Sequence, residues 1–176
     1  MTNRPANETG AGAAAGTGES EYELSSFLPY QLSIASNAVS ALIAERYRKR
    51  FGLKVPEWRV MAVLGDAARQ GIGNGGKLTQ RDLTEATLMD KVAVNRACKV
   101  LESRGLVARA QNVNDGRSHL LELTGEGEAI HREVMPLAKA TERELFEGFA
   151  PKEEAALRSM LERMRNRAGR LARETD

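Results

Sequence analysis

The sequence predicts a mainly α chain with one small β-hairpin after its fourth helix and a long helix at each end. Three observations predict it. Apolar residues recur at helical spacing from Leu24 to Phe51 and again from Leu157 to Leu171. Helix-start chemistry recurs at Pro56, Thr79, Asp90, Thr124 and Pro151. One strong turn signal, Asp115-Gly116, lies between two short strand candidates.

The chain has 176 residues, one ordinary domain plus a tail. Apolar residues make up 41% and charged residues 28%, a soluble globular composition. The single cysteine, Cys98, excludes an internal disulfide. With two well-separated histidines, it also argues against a zinc site of Cys/His type. Formal net charge is +2, but the distribution is uneven. Met1–Glu23 carries Arg4 against Glu8, Glu19, Glu21 and Glu23, whereas Met89–His119 holds six Lys/Arg against three acids. The middle of the chain is where an anionic partner is expected.

Residues 1–22 form a tail rich in Gly and Ala, without apolar periodicity, and read as disordered. Met1–Ser20 has neither the basic nor the apolar region of a signal peptide. Leu24–Ala44 is free of charge for 21 residues, about the length of a membrane span. Pro29, Gln31, Asn37 and five serines interrupt it, so it reads as a buried protein helix. Leu28, Leu32, Ala35, Val39 and Leu42 form one stripe, and Phe27, Ile34, Ala38 and Ala41 belong to a second. Two stripes mean burial on two sides. A domain of this size has one core, so the second side is expected to meet another subunit.

Gly52 stops this helix, and Pro56 with Glu57 opens the next, which carries Trp58, Met61 and Leu64 and ends at Gly71. Thr79-Gln80-Arg81-Asp82 matches a capping box for a short third helix. The fourth helix spans Met89-Asp90 to Ser103, with Gly105 as its stop. Leu106–Gln111 and Ser118–Leu123 are the strand candidates. Thr124 caps a fifth helix, expected to kink at Pro136, and Pro151 opens a sixth.

Gly71–Lys77 formally satisfies GxGxxG and GxxxxGK. Both motifs need a strand before the loop, and Leu78 stands where a phosphate-binding loop needs Ser or Thr. A helix precedes it here, so it reads as a flexible linker between helices. His119 and His131 lack a nucleophile nearby in sequence, and Glu153-Glu154 are helix-start charges. No enzyme, cofactor or metal is expected.

Helix, short helix, turn, helix, then hairpin is the winged helix-turn-helix order. On a wheel, Val94, Ala97, Cys98 and Leu101 of the fourth helix share one side, flanked by Ala93 and Val100. Lys91, Val92, Asn95, Arg96, Lys99 and Ser103 fall on the opposite arc. Cations, an amide and one apolar residue suit a major groove, where Arg reads guanine, Asn reads adenine and Val meets a thymine methyl. A solvated charged face is the plain alternative, and a helical protein-interaction module without DNA affinity is the alternative of another class.

Several runs resemble the multiple antibiotic resistance regulator (MarR) family. They are Val55-Pro56-Glu57-Trp58-Arg59-Val60, Leu78–Leu83, Met89–Arg96, Leu101-Glu102-Ser103-Arg104-Gly105-Leu106-Val107, and Asp115-Gly116-Arg117 followed by Leu123-Thr124 and Gly127. The resemblance covers about Leu24–Leu171, and the glycine loop before Leu78 is longer than the family's usual one. It implies a cytoplasmic homodimer that binds a pseudo-palindromic operator on double-stranded DNA, commonly as a repressor. It implies an N-terminal dimerisation helix over 23–52, a DNA-binding lobe over 53–125 and C-terminal dimerisation helices over 126–176. Asp90, Lys91, Val92, Asn95, Arg96 and Lys99 would enter or flank the major groove. Arg117 would enter the minor groove, held by Asp115, with Ser118 and His119 beside it. Thr79, Gln80 and Arg81 would lie near phosphates. A small anionic or phenolic effector would release DNA, with Tyr30, Ser33, Asn37, Trp58, Arg59 and Met61 as its contacts. Trp58 and Met61 also suit plain core positions, and a ligand-independent repressor or activator is the alternative. Relatives that sense peroxide use a cysteine at the start of the first long helix. This chain has none there, and Cys98 reads as a small apolar filler.

Overall fold

The structure, a computed structural model, describes residues 23–175. The expected tail over 1–22 lies outside them. The described residues divide into two compact units, the first ending at Val39 and the second beginning at Ser40.

In the first unit, Leu24–Ser26 makes a single 3-10 turn, and the first part of helix α1 (Leu28–Phe51) follows it. Every described residue from Glu23 to Val39 is exposed, Leu28 by 72%.

The second unit holds the core. Ala44 and Tyr47 on the last turns of α1 are buried. Helix α2 (Val55–Gln70) begins as expected at Lys54-Val55-Pro56, with the Glu57 carboxylate accepting the Lys54 backbone N–H (2.8 Å). It ends at Gly71 in the left-handed conformation, φ 66°. Glycine suits this position because its lack of a Cβ removes the usual penalty there. Trp58 lies between Tyr47 and His131, with ring centroids 5.6 and 5.7 Å away. His131 therefore stacks across from α5, and burial lowers its pKa below the ordinary imidazole value.

The glycine loop is a folded turn, not the expected flexible linker. Asn74 and Lys77 form a β-bridge, Gly76 is buried, and a Cβ at Gly76 would meet Ala68 Cα at 2.9 Å. The loop leads into a two-residue strand, β1 (Leu78–Thr79), that the sequence did not reveal. β1 pairs antiparallel with β3 (His119–Leu123), and β3 pairs with β2 (Val107–Gln111), giving the order β1-β3-β2. The register sets Leu78 opposite Leu121 and Val107 opposite Leu123. β3 buries Leu120, Leu121 and Leu123, with Leu121 fully buried, whereas β2 buries Val107 and leaves Ala108–Gln111 exposed.

Helices α3 (Gln80–Thr87) and α4 (Lys91–Ser103) follow their expected caps. Thr79 accepts from the Asp82 backbone N–H (3.2 Å), and Asp82 accepts from the Thr79 N–H (2.8 Å). Asp90 accepts from the Ala93 N–H (2.8 Å). Helix α5 (Gly125–Leu145) is capped by the Thr124 hydroxyl on the Gly127 N–H (3.1 Å) and runs on through Pro136. A Cβ on Gly127 would strike the Leu106 carbonyl oxygen, which explains glycine there: the start of α5 lies against the entry to β2. Helix α6 (Pro151–Thr175) contributes no buried residue; its Leu157, Met160, Leu161 and Met164 are exposed by 39–54%. No helix among the described residues is long and apolar enough to cross a membrane.

Candidate nucleic-acid interface

α4 turns the face that the wheel predicts toward the core. Val94, Ala97, Cys98 and Leu101 are buried, and Ala93 and Val100 are half-buried at the margins. Lys91, Val92, Arg96, Lys99 and Ser103 are exposed, and Asn95 is half-buried. Among the described residues no carboxylate forms an ion pair with Lys91, Arg96 or Lys99. Burial pushes the Cys98 thiol up to about 11, with Glu102 adding to the rise. At neutral pH it is a protonated, unreactive filler.

Helix α3 and the wing face one another across a cleft of about 350 Å³. Thr79, Gln80, Arg81, Asp115, Arg117, Ser118 and His119, all predicted from sequence, line it together. Sequence reasoning missed two further lining residues, Arg109 and Asn112. Arg109 is tied to Glu102 of α4 (2.9 Å), which couples the wing's first strand to the helix beside it. Of the three lining arginines, Arg81 and Arg109 pair with Glu85 and Glu102, and Arg117, without an ion pair among the described residues, is the cation that the cleft offers a polyanion.

The geometry refines several roles. The Asp90 carboxylate is engaged in capping α4, so it positions the helix. Thr79 and Asp82 satisfy each other, also through Thr79 Oγ1 donating to Asp82 Oδ2 (2.8 Å). Arg81 pairs with Glu85 (2.9 Å), leaving its guanidinium largely in solvent. Gln80 Nε2 donates to Asn95 Oδ1 (3.5 Å), linking the two helices at the edge of the exposed arc. Another residue without an expected role, Arg104, donates to the carbonyls of Phe51 (2.6 Å) and Gly52 (3.2 Å). It thereby satisfies the orphan acceptors at the end of α1 and fixes the end of α4 to it.

At the wing tip, the expected grip of Asp115 on Arg117 is on its backbone. Asp115 Oδ1 accepts the Arg117 N–H (3.1 Å), leaving the guanidinium exposed. Asn112 adds to the turn by accepting the Asn114 N–H (3.0 Å) and donating to Ser118 Oγ (2.9 Å). The two ways of removing the Asp115 charge therefore separate. Asp115→Ala loses the backbone acceptor, loosens the tip, and is expected to weaken duplex binding about three- to tenfold, the value of one such hydrogen bond. Asp115→Asn keeps an acceptor while removing a negative charge, so it is expected to bind at least as tightly as the wild type. Fluorescence anisotropy on both variants checks the pair. Tighter binding by Asp115→Ala would mean that the carboxylate only repels phosphate.

Of the six expected effector contacts, Met61 is fully buried and Trp58 is 8% exposed within its aromatic stack; both are core in this chain. Arg59 is half-buried and donates to Ser40 Oγ (3.1 Å). Tyr30, Ser33 and Asn37 are exposed. A larger cavity of about 710 Å³ lies elsewhere, walled by Ala62, Val63, Ala67, Ile72 and Leu78.

Residues 51–118 match the model of the MarR family. The chain is 26% identical over 152 residues to YdgJ of Bacillus subtilis, described as an uncharacterized HTH-type transcriptional regulator; the match covers 85% of this chain and 88% of that protein. A structure of BpsR from Bordetella bronchiseptica, whose DNA binding is regulated by 6-hydroxynicotinic acid, has a TM-score of 0.69 at 25% identity and covers 81% of this chain and 96% of that one. A mutant MarR from E. coli complexed with operator DNA has a TM-score of 0.66 at 25% identity, covering 78% and 92%. The capped α3–α4 pair, the three-stranded wing and the cationic cleft agree with these likenesses. Residues 51–118 thus match the MarR family's model, and the chain as a whole is similar to winged helix-turn-helix, DNA-binding transcriptional regulators of that family.

Proposed function

We propose that this regulator is a cytoplasmic homodimeric repressor that leaves a pseudo-palindromic operator when a small aromatic acid binds. The observation that carries the DNA half is the convergence of seven predicted contact residues on one cationic cleft beside the exposed arc of α4. Two copies would set two such arcs against successive major grooves, the geometry that a two-fold protein imposes on its site. The apolar stripe of α6 and the exposed leucines of α1 are the surfaces for the second copy, and 23–52 with 126–176 are its dimerisation segments.

Arg59 is the residue proposed to take the acid. Among the described residues its guanidinium donates to a neutral hydroxyl and forms no ion pair, and a carboxylate offers a stronger, bidentate partner. BpsR supports the ligand class, since the acid that regulates its DNA binding, 6-hydroxynicotinic acid, is aromatic. Trp58 and Met61, on the same helix as Arg59, are buried in the core.

The test begins with a duplex enriched from a random-sequence pool by the wild-type protein. 6-Hydroxynicotinate and a panel of hydroxybenzoates are then titrated into the complex. At least one acid is expected to lower affinity at least tenfold, and Arg59→Met is expected to abolish the response while leaving acid-free binding within about twofold. Release by no acid in the panel, or an unchanged response in Arg59→Met, would contradict the effector proposal.

A further inference from the structure

The turn between α3 and α4 holds a residue that the fold does not explain. Leu88 has φ 52° and ψ 22°, in the left-handed region. Among the described residues it is the one non-glycine with a positive φ. Its side chain is also 75% exposed. Leucine is unfavourable here in two ways: its Cβ crowds the following carbonyl, and its isobutyl group stands in water.

The turn itself demands the backbone conformation. Leu88 N–H donates to the Thr84 carbonyl (3.0 Å), and Thr87 Oγ1 donates to the Leu83 carbonyl (2.6 Å) while accepting the Met89 N–H (3.3 Å). Met89 then packs against the core and Asp90 caps α4. None of these contacts uses the Leu88 side chain. Glycine would meet the same turn without strain, and asparagine tolerates it better than leucine. Strained residues persist where the surroundings over-determine them, and they cluster at functional sites.

The position supplies the function. Leu88 stands two residues before the α4 cap, at the end of the helix that approaches base edges in a helix-turn-helix complex. Val92, exposed by 67%, is the other large apolar side chain at that end. We propose that Leu88 is a further specificity-determining residue, its isobutyl group meeting a thymine C5-methyl beside the position read by Val92. The proposal rests on α4 being the reading helix. Thymine is the base in question because its methyl is the one apolar group that the major groove presents.

The experiment uses the full chain and a duplex enriched from a random-sequence pool by the wild-type protein. Leu88→Gly and Leu88→Asn are expected to lose about 5- to 20-fold in affinity for that duplex, within the range for one base contact. They are expected to bind mixed-sequence duplex as the wild type does, with the same salt slope. Their melting temperatures are expected to equal or exceed the wild-type value by a few degrees, since strain is removed. Leu88→Met, which keeps the apolar reach, is expected to stay within about twofold of the wild type. Replacing one thymine of each half-site with uracil is expected to cost the wild type a similar factor and Leu88→Gly nothing further. Unchanged affinity in the Gly and Asn variants would overturn the proposal. So would a loss shared by mixed-sequence duplex, a loss that tracks a lower melting temperature, or the absence of any uracil position whose penalty vanishes in Leu88→Gly. Enrichment of a site that Leu88→Gly and Leu88→Asn still bind fully would sink this assignment alone. Failure of the wild-type protein to enrich any site would sink the reading of α4 with it.

Discussion

Deleting Pro151–Asp176 is expected to leave no stable folded monomer. α6 buries no residue within its own chain, yet it presents Leu157, Met160, Leu161 and Met164 at helical spacing. The first part of α1 likewise exposes Leu24, Phe27, Leu28, Tyr30, Leu32 and Ile34. Apolar surface on this scale is rare on a monomer and common at obligate interfaces, which bury roughly 2,000–5,000 Å². Ion pairs do not substitute for that burial. Arg158 bridges Glu142 (2.7 Å) and Glu154 (2.6 Å) in solvent, where such pairs contribute about 0–1 kcal/mol. The truncated chain is therefore expected to aggregate or unfold, as seen by sedimentation and circular dichroism. The full chain is expected to melt at a temperature that rises with concentration, as linkage requires of a dimer. A truncated protein that sediments as a folded monomer would contradict the dimer.

Second in size is the combined replacement of Val92, Asn95 and Arg96 by Ala. Each has a group suited to a base edge, and each substitution is expected to cost about 1–3 kcal/mol on the preferred sequence. Well-separated base positions add roughly, so the triple variant is expected to lose about a thousandfold or more of its preference. The three differ in what they leave behind. Val92→Ala changes no charge, so its salt slope and non-specific binding are expected to stay intact while preference at one thymine is lost. Arg96→Ala is expected to relax guanine preference. Lys99→Ala, a turn further along, is expected to weaken all sequences alike and reduce the salt slope by about one unit, because a phosphate contact releases a counterion. Unchanged sequence preference in the triple variant would remove α4 as the reader.

The helical part of the fold was legible because its caps are chemical. Thr79, Asp82, Asp90 and Thr124 do locally what their side chains predict, and a capping bond needs no distant partner. The inward face of α4 was legible from periodicity alone. Strand β1 was not, since Leu78–Thr79 is too short to show alternation and forms only because β3 offers it an edge. The ordered glycine loop was hidden for a similar reason: its bridge depends on where Leu78 goes. Along α1 and α6 periodicity reports that a face is apolar, not which chain covers it. In the candidate site, residue types were readable but their bonds were not. Nothing in the sequence says that Asp115 holds a backbone amide, that Arg104 reaches back to Phe51, or that a leucine occupies a left-handed turn.

Methylation interference on the enriched duplex tests the central claim most directly, because guanine N7 faces the major groove and adenine N3 the minor. The account predicts two major-groove patches, about 10 base pairs apart or a multiple of that, related by a dyad. Each would lie beside a minor-groove patch that disappears in Arg117→Ala, while the major-groove patches persist. Interference confined to one groove, or a single patch without a dyad mate, would contradict a dimer that reads with α4 and anchors with its wing.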